Sequence, residues 1–231
     1  MIALDLTDDQ RRRIESALAE TDARPSFRYP WDGLEQELVA NGGGSLPMVG
    51  YGSLVNLDSA ARTLGPGSLA TARSIVCFGV RRVFDYDKSA GRTDVEYAED
   101  VIARAALNVR MTNDTADALN GLLFDMAHQD VQAMRERELG YDLLPVSCFS
   151  WEALDLPAAP AWILSAPDEP RGGSVFANSK LTPDVEYFVR CRAGAADFGE
   201  GFLRFWRETT LLADGVTPVA EWEARHAPDA P

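Results

Sequence analysis

The chain alternates between short apolar runs, typical of buried strands, and longer segments in which apolar residues recur every three or four positions, typical of helices. Strands are predicted at 48–50, 73–86, 101–111, 121–126, 141–149 and 160–165. Helices are predicted at 7–21, 31–39, 58–64, 130–138, 183–198 and 199–212. Because the two types are mixed without a regular β-α-β-α order, the pattern disfavours a doubly wound parallel sheet. It favours an α+β fold in which a small mixed, barrel-like β-sheet is flanked by helices.

A glycine-rich stretch divides the sequence. The segment from Asn41 to Ser45 contains three consecutive glycines and is the clearest linker in the chain, because glycine and small polar residues favour irregular backbone. It predicts a boundary between an N-terminal helical extension, 1–45, and a main domain, 46–231. The extension has a thin apolar stripe, Ile14 and Leu18, which we expect to dock on the main domain or on another subunit.

Charge and composition narrow the function classes. The chain has 231 residues and a formal net charge of -14. Nucleic acid and anionic membranes are bound by basic surfaces, so neither is expected as a partner. The sequence has no apolar stretch of the roughly 18 residues that a membrane span needs, and its acidic start does not resemble a signal peptide. A cytoplasmic location is therefore expected, and the oligomeric state stays open.

Cysteine and histidine are sparse. Cys77, Cys148 and Cys191 are far apart and contain no Cys-x-x-Cys pair, so we expect reduced, buried thiols. Because His128 and His226 are the only histidines, no histidine-rich metal site is expected.

The first candidate for chemistry is the turn Tyr51-Gly52-Ser53-Leu54, which follows a short apolar run. Glycine has no Cβ, so it allows backbone N–H groups to face a pocket. Such a turn suits a carboxylate or another oxyanion. An ordinary turn at the end of a strand has the same sequence features, so the pattern alone leaves both interpretations open.

The second candidate is Glu138, which lies just before Gly140, where glycine is typical of a left-handed helix end. Two arginines and two glutamates at 135–138 favour a solvated, charge-paired helix end. The apolar neighbours Leu139 and Tyr141 favour a carboxylate that points inward. Burial raises the pKa of a carboxylate and makes it a usable base near neutral pH.

The third candidate is Tyr187, in the first turn of the helix predicted at 183–198. Its hydroxyl could orient a substrate or a base, and core packing explains a tyrosine there equally well.

Together, these stretches resemble the γ-glutamylcyclotransferase-like superfamily over about residues 46–212. The turn at 51–54 is similar to the substrate-loop signature of that family, and Glu138 before Tyr141 is similar to its catalytic-acid segment. Asp184 stands where the family usually has serine. Two further similarities are the strand Gly121-Leu122-Leu123-Phe124 and a C-terminal helix containing Pro183, Tyr187 and Gly194-Ala195.

The resemblance implies a barrel-like fold and an enzyme that cleaves a γ-glutamyl amide by intramolecular cyclisation. The products would be 5-oxoproline and a free amine or amino acid. Glu138 would be the catalytic base, and no metal or organic cofactor is expected. Glutathione, γ-glutamyl amino acids and γ-glutamyl amines all stay open as substrates. The resemblance assigns substrate binding to Tyr51, Gly52, Ser53, Leu54 and Tyr187.

Two other function classes stay open. Asp184 and the extra segments at both ends allow a binding or regulatory protein that keeps the fold without catalysis. A hydrolase that uses Cys148 or Cys77 is a further alternative, although neither histidine lies in an evident setting for activating a nucleophile.

Overall fold

The computed structural model describes residues 4, 6–40, 44–90 and 102–226. Its helices are α1 Asp8–Asp22, α2 Leu34–Ala40, α3 Leu57–Ala60, α4 Pro66–Leu69, α5 His128–Arg137, α6 Val185–Ala196, α7 Glu200–Thr209 and α8 Val219–His226. Its strands are β1 Ser45–Gly50, β2 Arg73–Phe78, β3 Val80–Asp87, β4 Ala103–Met111, β5 Ala118–Ala127, β6 Asp142–Ser150, β7 Ala159–Ser165, β8 Thr182–Pro183 and β9 Thr210–Leu212. A short 3-10 turn, Ser53–Val55, follows β1.

Five strands form a closed barrel in the order β1-β5-β2-β6-β7. Its neighbouring strands are antiparallel, except that β1 and β7 are parallel and close the barrel by pairing Met48 with Trp162 and Val49 with Ile163. Strand β5 lies between β1 and β2 and is buried along most of its length, so it forms the centre of the core. The predicted α+β fold, a barrel-like mixed sheet flanked by helices, is confirmed.

A second sheet, in the order β8-β4-β3-β9, contacts the barrel strands β5 and β7. Arg82 of β3 is fully buried between the two sheets. Its guanidinium donates to the Asn120 carbonyl on β5 at 2.6 Å and to the Thr210 hydroxyl on β9 at 2.7 Å. A buried charge is tolerated where its donors are satisfied, so this arginine fastens the second sheet to the barrel.

The described part of the N-terminal extension packs on the barrel. Ile14 and Ala17 of α1 are buried in a small apolar cluster with residues of β2 and β6. Phe27 and Leu143 each donate a backbone hydrogen bond of 2.8 Å to the other, and the Trp31 indole N–H donates to a backbone carbonyl beside β6. The glycine-rich residues 41–43 lie outside the described ranges, and the domain boundary stays a prediction.

Helix α6 starts later than the sequence predicts. Proline suits a first helical turn, but Pro183 pairs with Ala105 of β4 in the short strand β8. Asp184 caps the helix instead, because its carboxylate accepts the N–H of Tyr187 at 2.8 Å. The residue that departs from the family pattern therefore has a structural role at the helix start.

Other boundaries also differ from the predictions. The helix predicted at 58–64 is the shorter α3, which is capped by Asn56 and not by Asp58. The segment predicted as a helix at 199–212 ends in the strand β9, and the C-terminal tail contains the unpredicted helix α8. The polar, glycine-containing sequence at 87–100 predicts a loop, and residues 91–100 of it lie outside the described ranges. Among the described residues, none of the helices has the length and apolar character that crossing a bilayer requires.

Candidate active site

A cavity of about 220 Å³ opens between the turn after β1, the junction of α5 with β6, and the start of α6. This is smaller than the sites of drug-sized ligands, which start at about 300 Å³, so it suits a small molecule. The structure brings the predicted site residues together here, and their roles stay predictions. All six predicted residues are among those that line it: Tyr51, Gly52, Ser53, Leu54, Glu138 and Tyr187.

The turn after β1 lies directly against α6. A Cβ added to Gly52 would collide with the Tyr187 hydroxyl, so this position requires glycine because two elements approach closely. The 3-10 turn that follows is closed by the Val55 N–H, which donates to the Gly52 carbonyl at 3.0 Å. The close approach places the tyrosine hydroxyl and the backbone of the turn side by side at the cavity.

Glu138 lies where α5 stops. The helix ends at Arg137, and the chain reverses through Gly140, whose φ of +80° lies in the region that favours glycine. The Tyr86 hydroxyl holds this junction by donating to the Leu139 carbonyl at 2.7 Å. The Glu138 side chain is 17% exposed, so it faces the cavity and not open solvent.

Two opposing effects act on the Glu138 carboxyl. Burial raises its pKa, and the neighbouring Arg137 guanidinium lowers it, with burial the larger effect. The Arg137 Nε atom lies 3.0 Å from a carboxylate oxygen of Glu138. A carboxylate with a raised pKa is a stronger base than an exposed one, so this setting favours Glu138 as a proton acceptor.

Tyrosine rings form much of the cavity wall. The Tyr51 hydroxyl donates to the Leu164 carbonyl at 2.8 Å, and the Tyr141 hydroxyl donates to the Leu107 carbonyl at 2.9 Å. Burial raises the pKa of Tyr51, Tyr141 and Tyr187 well above the usual value, so all three stay protonated. Tyr51 therefore presents its ring to the cavity, while its hydroxyl is used within the protein.

The sequence-based predictions missed the cations of the site. Arg137, Lys88 and Arg190 line the cavity with Glu138, and the Lys88 ammonium is held 2.7 Å from the Asp184 carboxylate. Arg137 is adjacent to Glu138 in sequence, but its charge-rich neighbourhood is equally typical of a solvated helix end. No sequence pattern near Lys88 identifies it as a cavity residue, because the tertiary packing of the strand ends brings it to the cavity.

Cys77 and Cys148, the two candidate nucleophiles, do not line this cavity. Cys77 and Cys148 face each other across β2 and β6 with their sulfur atoms 3.5 Å apart, and both are buried. A hydrogen bond to Cys148 and burial raise the pKa of Cys77 well above its usual value. A buried neutral thiol is a poor nucleophile, so the geometry does not support the cysteine hydrolase. A larger cavity of about 400 Å³ lies elsewhere and contains none of the six predicted residues.

Solved structures share this architecture. The human uncharacterized protein loc79017 matches with 12% identity over 72% of this chain and 88% of that chain, at a TM-score of 0.51. YkqA from Bacillus subtilis matches with 13% identity over 85% of this chain and 59% of that chain, also at 0.51. This chain therefore shares its fold with these two proteins. A gamma-glutamyl cyclotransferase matches with 11% identity over 71% of this chain and 88% of that chain, at a TM-score of 0.49, and no conclusion is based on this match.

At such low identities, these likenesses show the fold alone. No protein-family model matches the chain, and no curated protein matches its sequence.

Proposed function

We propose that this chain is a γ-glutamylcyclotransferase-type enzyme that releases 5-oxoproline from a small γ-glutamyl compound. The observation that carries the proposal is the setting of Glu138. It is a mostly buried carboxylate with a raised pKa, in a small cavity that also holds a glycine turn, three cations and protonated tyrosines. This combination suits an anionic substrate that must lose a proton before it reacts.

The reaction needs no nucleophile from the protein. The α-ammonium of the γ-glutamyl group gives a proton to Glu138, and the resulting amine attacks the γ-carbonyl carbon of the same group. The new C–N bond closes a five-membered ring, and negative charge develops on the carbonyl oxygen. The bond to the leaving nitrogen then breaks as that nitrogen takes the proton from Glu138. The ring nitrogen gives its second proton to the regenerated carboxylate, which passes it to the released amine, so 5-oxoproline and an ammonium product leave and Glu138 returns to its starting state. The enclosed cavity favours the folded substrate conformation that cyclisation requires.

The turn at 51–54 is proposed to hold the glutamyl end of the substrate. The Ser53 N–H is bonded to the Tyr187 hydroxyl, and the other backbone N–H groups of the turn suit the α-carboxylate or the developing oxyanion. The roles of Gly52 and Ser53 are then backbone roles, while Tyr51 and Leu54 shape the wall. Tyr187, whose hydroxyl lies against Gly52, is proposed to orient the substrate or the base.

The cations at the wall favour a leaving group that carries a carboxylate. Lys88 and Arg190 line the cavity in addition to Arg137, although the whole chain carries a net charge of -14. Lys88 is paired with Asp184 and Arg137 with Glu138, so Arg190 is the cation to which we assign the attraction of a substrate anion. We therefore propose γ-glutamyl amino acids or peptides, and not γ-glutamyl amines, as the preferred class.

The test is 5-oxoproline release from a panel of glutathione, γ-glutamyl amino acids and γ-glutamyl amines. We expect product from the parent and its loss in Glu138→Gln, which keeps the shape but removes the base. The matched control is Glu136→Gln, an exposed carboxylate on the same helix, and it should keep full activity. An inactive parent, or an active Glu138→Gln variant, would refute the proposal.

One observation favours a second candidate, a binding protein with the same pocket. The ion pair with Arg137 opposes the rise in the pKa of Glu138, and a paired carboxylate is a weaker base. For such a protein, γ-glutamyl compounds would raise the melting temperature without turnover.

A further inference from the structure

The Arg137 side chain reaches across the site and is anchored on the segment that follows the turn. Its Nη1 atom donates to the Thr63 hydroxyl at 2.9 Å and to the Ser59 carbonyl at 3.1 Å. Its Nη2 atom donates to the Ser53 hydroxyl at 2.9 Å, and its Nε atom pairs with Glu138. One guanidinium therefore contacts the proposed base, the proposed substrate turn and the helix behind that turn.

We propose that Arg137 is a positioning residue that fixes Glu138 relative to the turn at Ser53, so that the base meets the α-ammonium of a substrate held by that turn. The inference rests on the proposed function. Arginine suits the task because its planar fork makes several hydrogen bonds in fixed directions, whereas a lysine ammonium is a point charge.

A purely structural role predicts different contacts. A basic residue in the last turn of a helix commonly interacts with the final carbonyl groups of its own helix. The contacts of Arg137 described above go instead to Ser53, Ser59 and Thr63, all outside α5, and to the adjacent Glu138. The side chain is 23% exposed, which is low for a residue that only closes a helix end in solvent.

The charged groups around Glu138 make the arrangement testable. Arg137 is the cation in contact with Glu138 and opposes the rise in its pKa. Removing that cation should raise the pKa of Glu138 further, so a larger share of the carboxyl would be protonated at neutral pH. The other titratable groups that line the same cavity are Lys88, Arg190, Tyr51, Tyr86, Tyr141 and Tyr187.

The experiment compares three variants. Arg137→Met removes the charge and the fork, Arg137→Lys keeps the charge, and Arg135→Met is a matched control on the same helix, where Arg135 lies over the Trp31 ring. The Glu138 carboxyl is titrated by ¹³C NMR in the ligand-free protein and identified by its absence in Glu138→Gln. The pH profile of kcat and KM is measured with the best γ-glutamyl substrate.

We expect Arg137→Met to raise the pKa of Glu138, to move the acidic limb of the profile to higher pH and to lower kcat by about tenfold or more. Arg137→Lys should keep the titration of the parent but still lose about fivefold in kcat, since a displaced base costs rate with little effect on KM. Arg135→Met should change neither the titration of Glu138 nor kcat.

Two results would overturn the inference. One is a Glu138 titration in Arg137→Met that is the same as in the parent. If Arg137→Met fails to fold, Arg137→Gln takes its place, and a Glu138 titration that is the same in Arg137→Gln as in Arg137→Lys would overturn the inference. The other is full activity in Arg137→Lys, which would show that charge alone is sufficient. The NMR titration needs no turnover, so a shift of the pKa in a protein that forms no 5-oxoproline would refute the proposed function and retain the coupling of Arg137 to Glu138.

Discussion

Helix α6 approaches the backbone after the substrate turn most closely at Gly194. A Cβ added there would lie 2.5 Å from the Asn56 Cα atom and 2.7 Å from the Val55 carbonyl carbon, whereas ordinary carbon contacts are about 3.5–4.0 Å. Both partners are backbone atoms, so no side-chain rotation can relieve the contact. The helix and the turn would have to separate by about 1 Å to accept alanine.

Two contributions of opposite sign set the stability of Gly194→Ala. Alanine is favoured over glycine within a helix by about 0.5–1 kcal/mol. Overpacking costs about 1–3 kcal/mol, and a rigid backbone partner puts this site at the upper end. We expect a net loss of about 1–2.5 kcal/mol in the free energy of unfolding, and a melting temperature lower by roughly 2–10 °C for a chain of this size.

Urea unfolding followed by circular dichroism measures this loss. The matched control is Gly201→Ala in α7, where an added Cβ meets nothing within 4 Å and the variant should be unchanged or more stable by up to about 1 kcal/mol. The close approach of α6 to the turn would be refuted if Gly194→Ala were as stable as the parent. It would also be refuted if the free energy of unfolding changed in the same direction in both variants.

Three other predictions follow from buried groups. Glu223 pairs with two arginines at 2.6 Å each, so Glu223→Gln should lower the free energy of unfolding, measured in urea, by about 2–4 kcal/mol. The control is Glu221→Gln, at an exposed position on the same helix, which should lower it by less than about 0.5 kcal/mol. Equal losses in the two variants would contradict this prediction. Because the folded pKa of Glu138 is raised, its carboxyl favours folding at low pH, and that contribution disappears as the pH rises through the folded pKa. Glu138→Gln should therefore gain stability relative to the parent as the pH rises above the usual glutamate pKa of about 4.3, and a constant difference would contradict the raised pKa. Iodoacetamide should label buried Cys77 and Cys148 far more slowly in native than in unfolded protein, as followed by intact mass, and rapid native labelling would show that the barrel opens readily.

Local patterns predicted the fold class, and together with the family resemblance they pointed to six residues that line the cavity. The positive φ of Gly140 is a backbone requirement that is visible in sequence, whereas the close approach of Gly52 to the Tyr187 hydroxyl is not. The apolar residues beside Glu138 indicated an inward carboxylate. The predictions at Gly140 and Glu138 depend only on residues that are adjacent along the chain, so they can be made without the tertiary structure.

Features that depend on distant segments were not visible. Pro183 is compatible with a helix start, but its pairing with β4 removes it from α6. The direction of the Arg137 side chain depends on Ser59 and Thr63, which reach it only after folding. Helix α8 was missed because its anchor, Trp222, packs on Phe188 of α6 with ring centroids 5.1 Å apart, and a lone tryptophan in a tail has no readable period.

The parallel pairing of β1 with β7 has a kinetic consequence. It joins Met48 to Trp162, a contact between distant parts of the chain, and such contacts carry a loop-closure cost that slows folding. The substrate turn follows β1 directly, so the cavity is complete only in a chain in which this pair has formed. A ligand that binds the completed cavity therefore stabilises the closed barrel over any form in which β1 and β7 are apart.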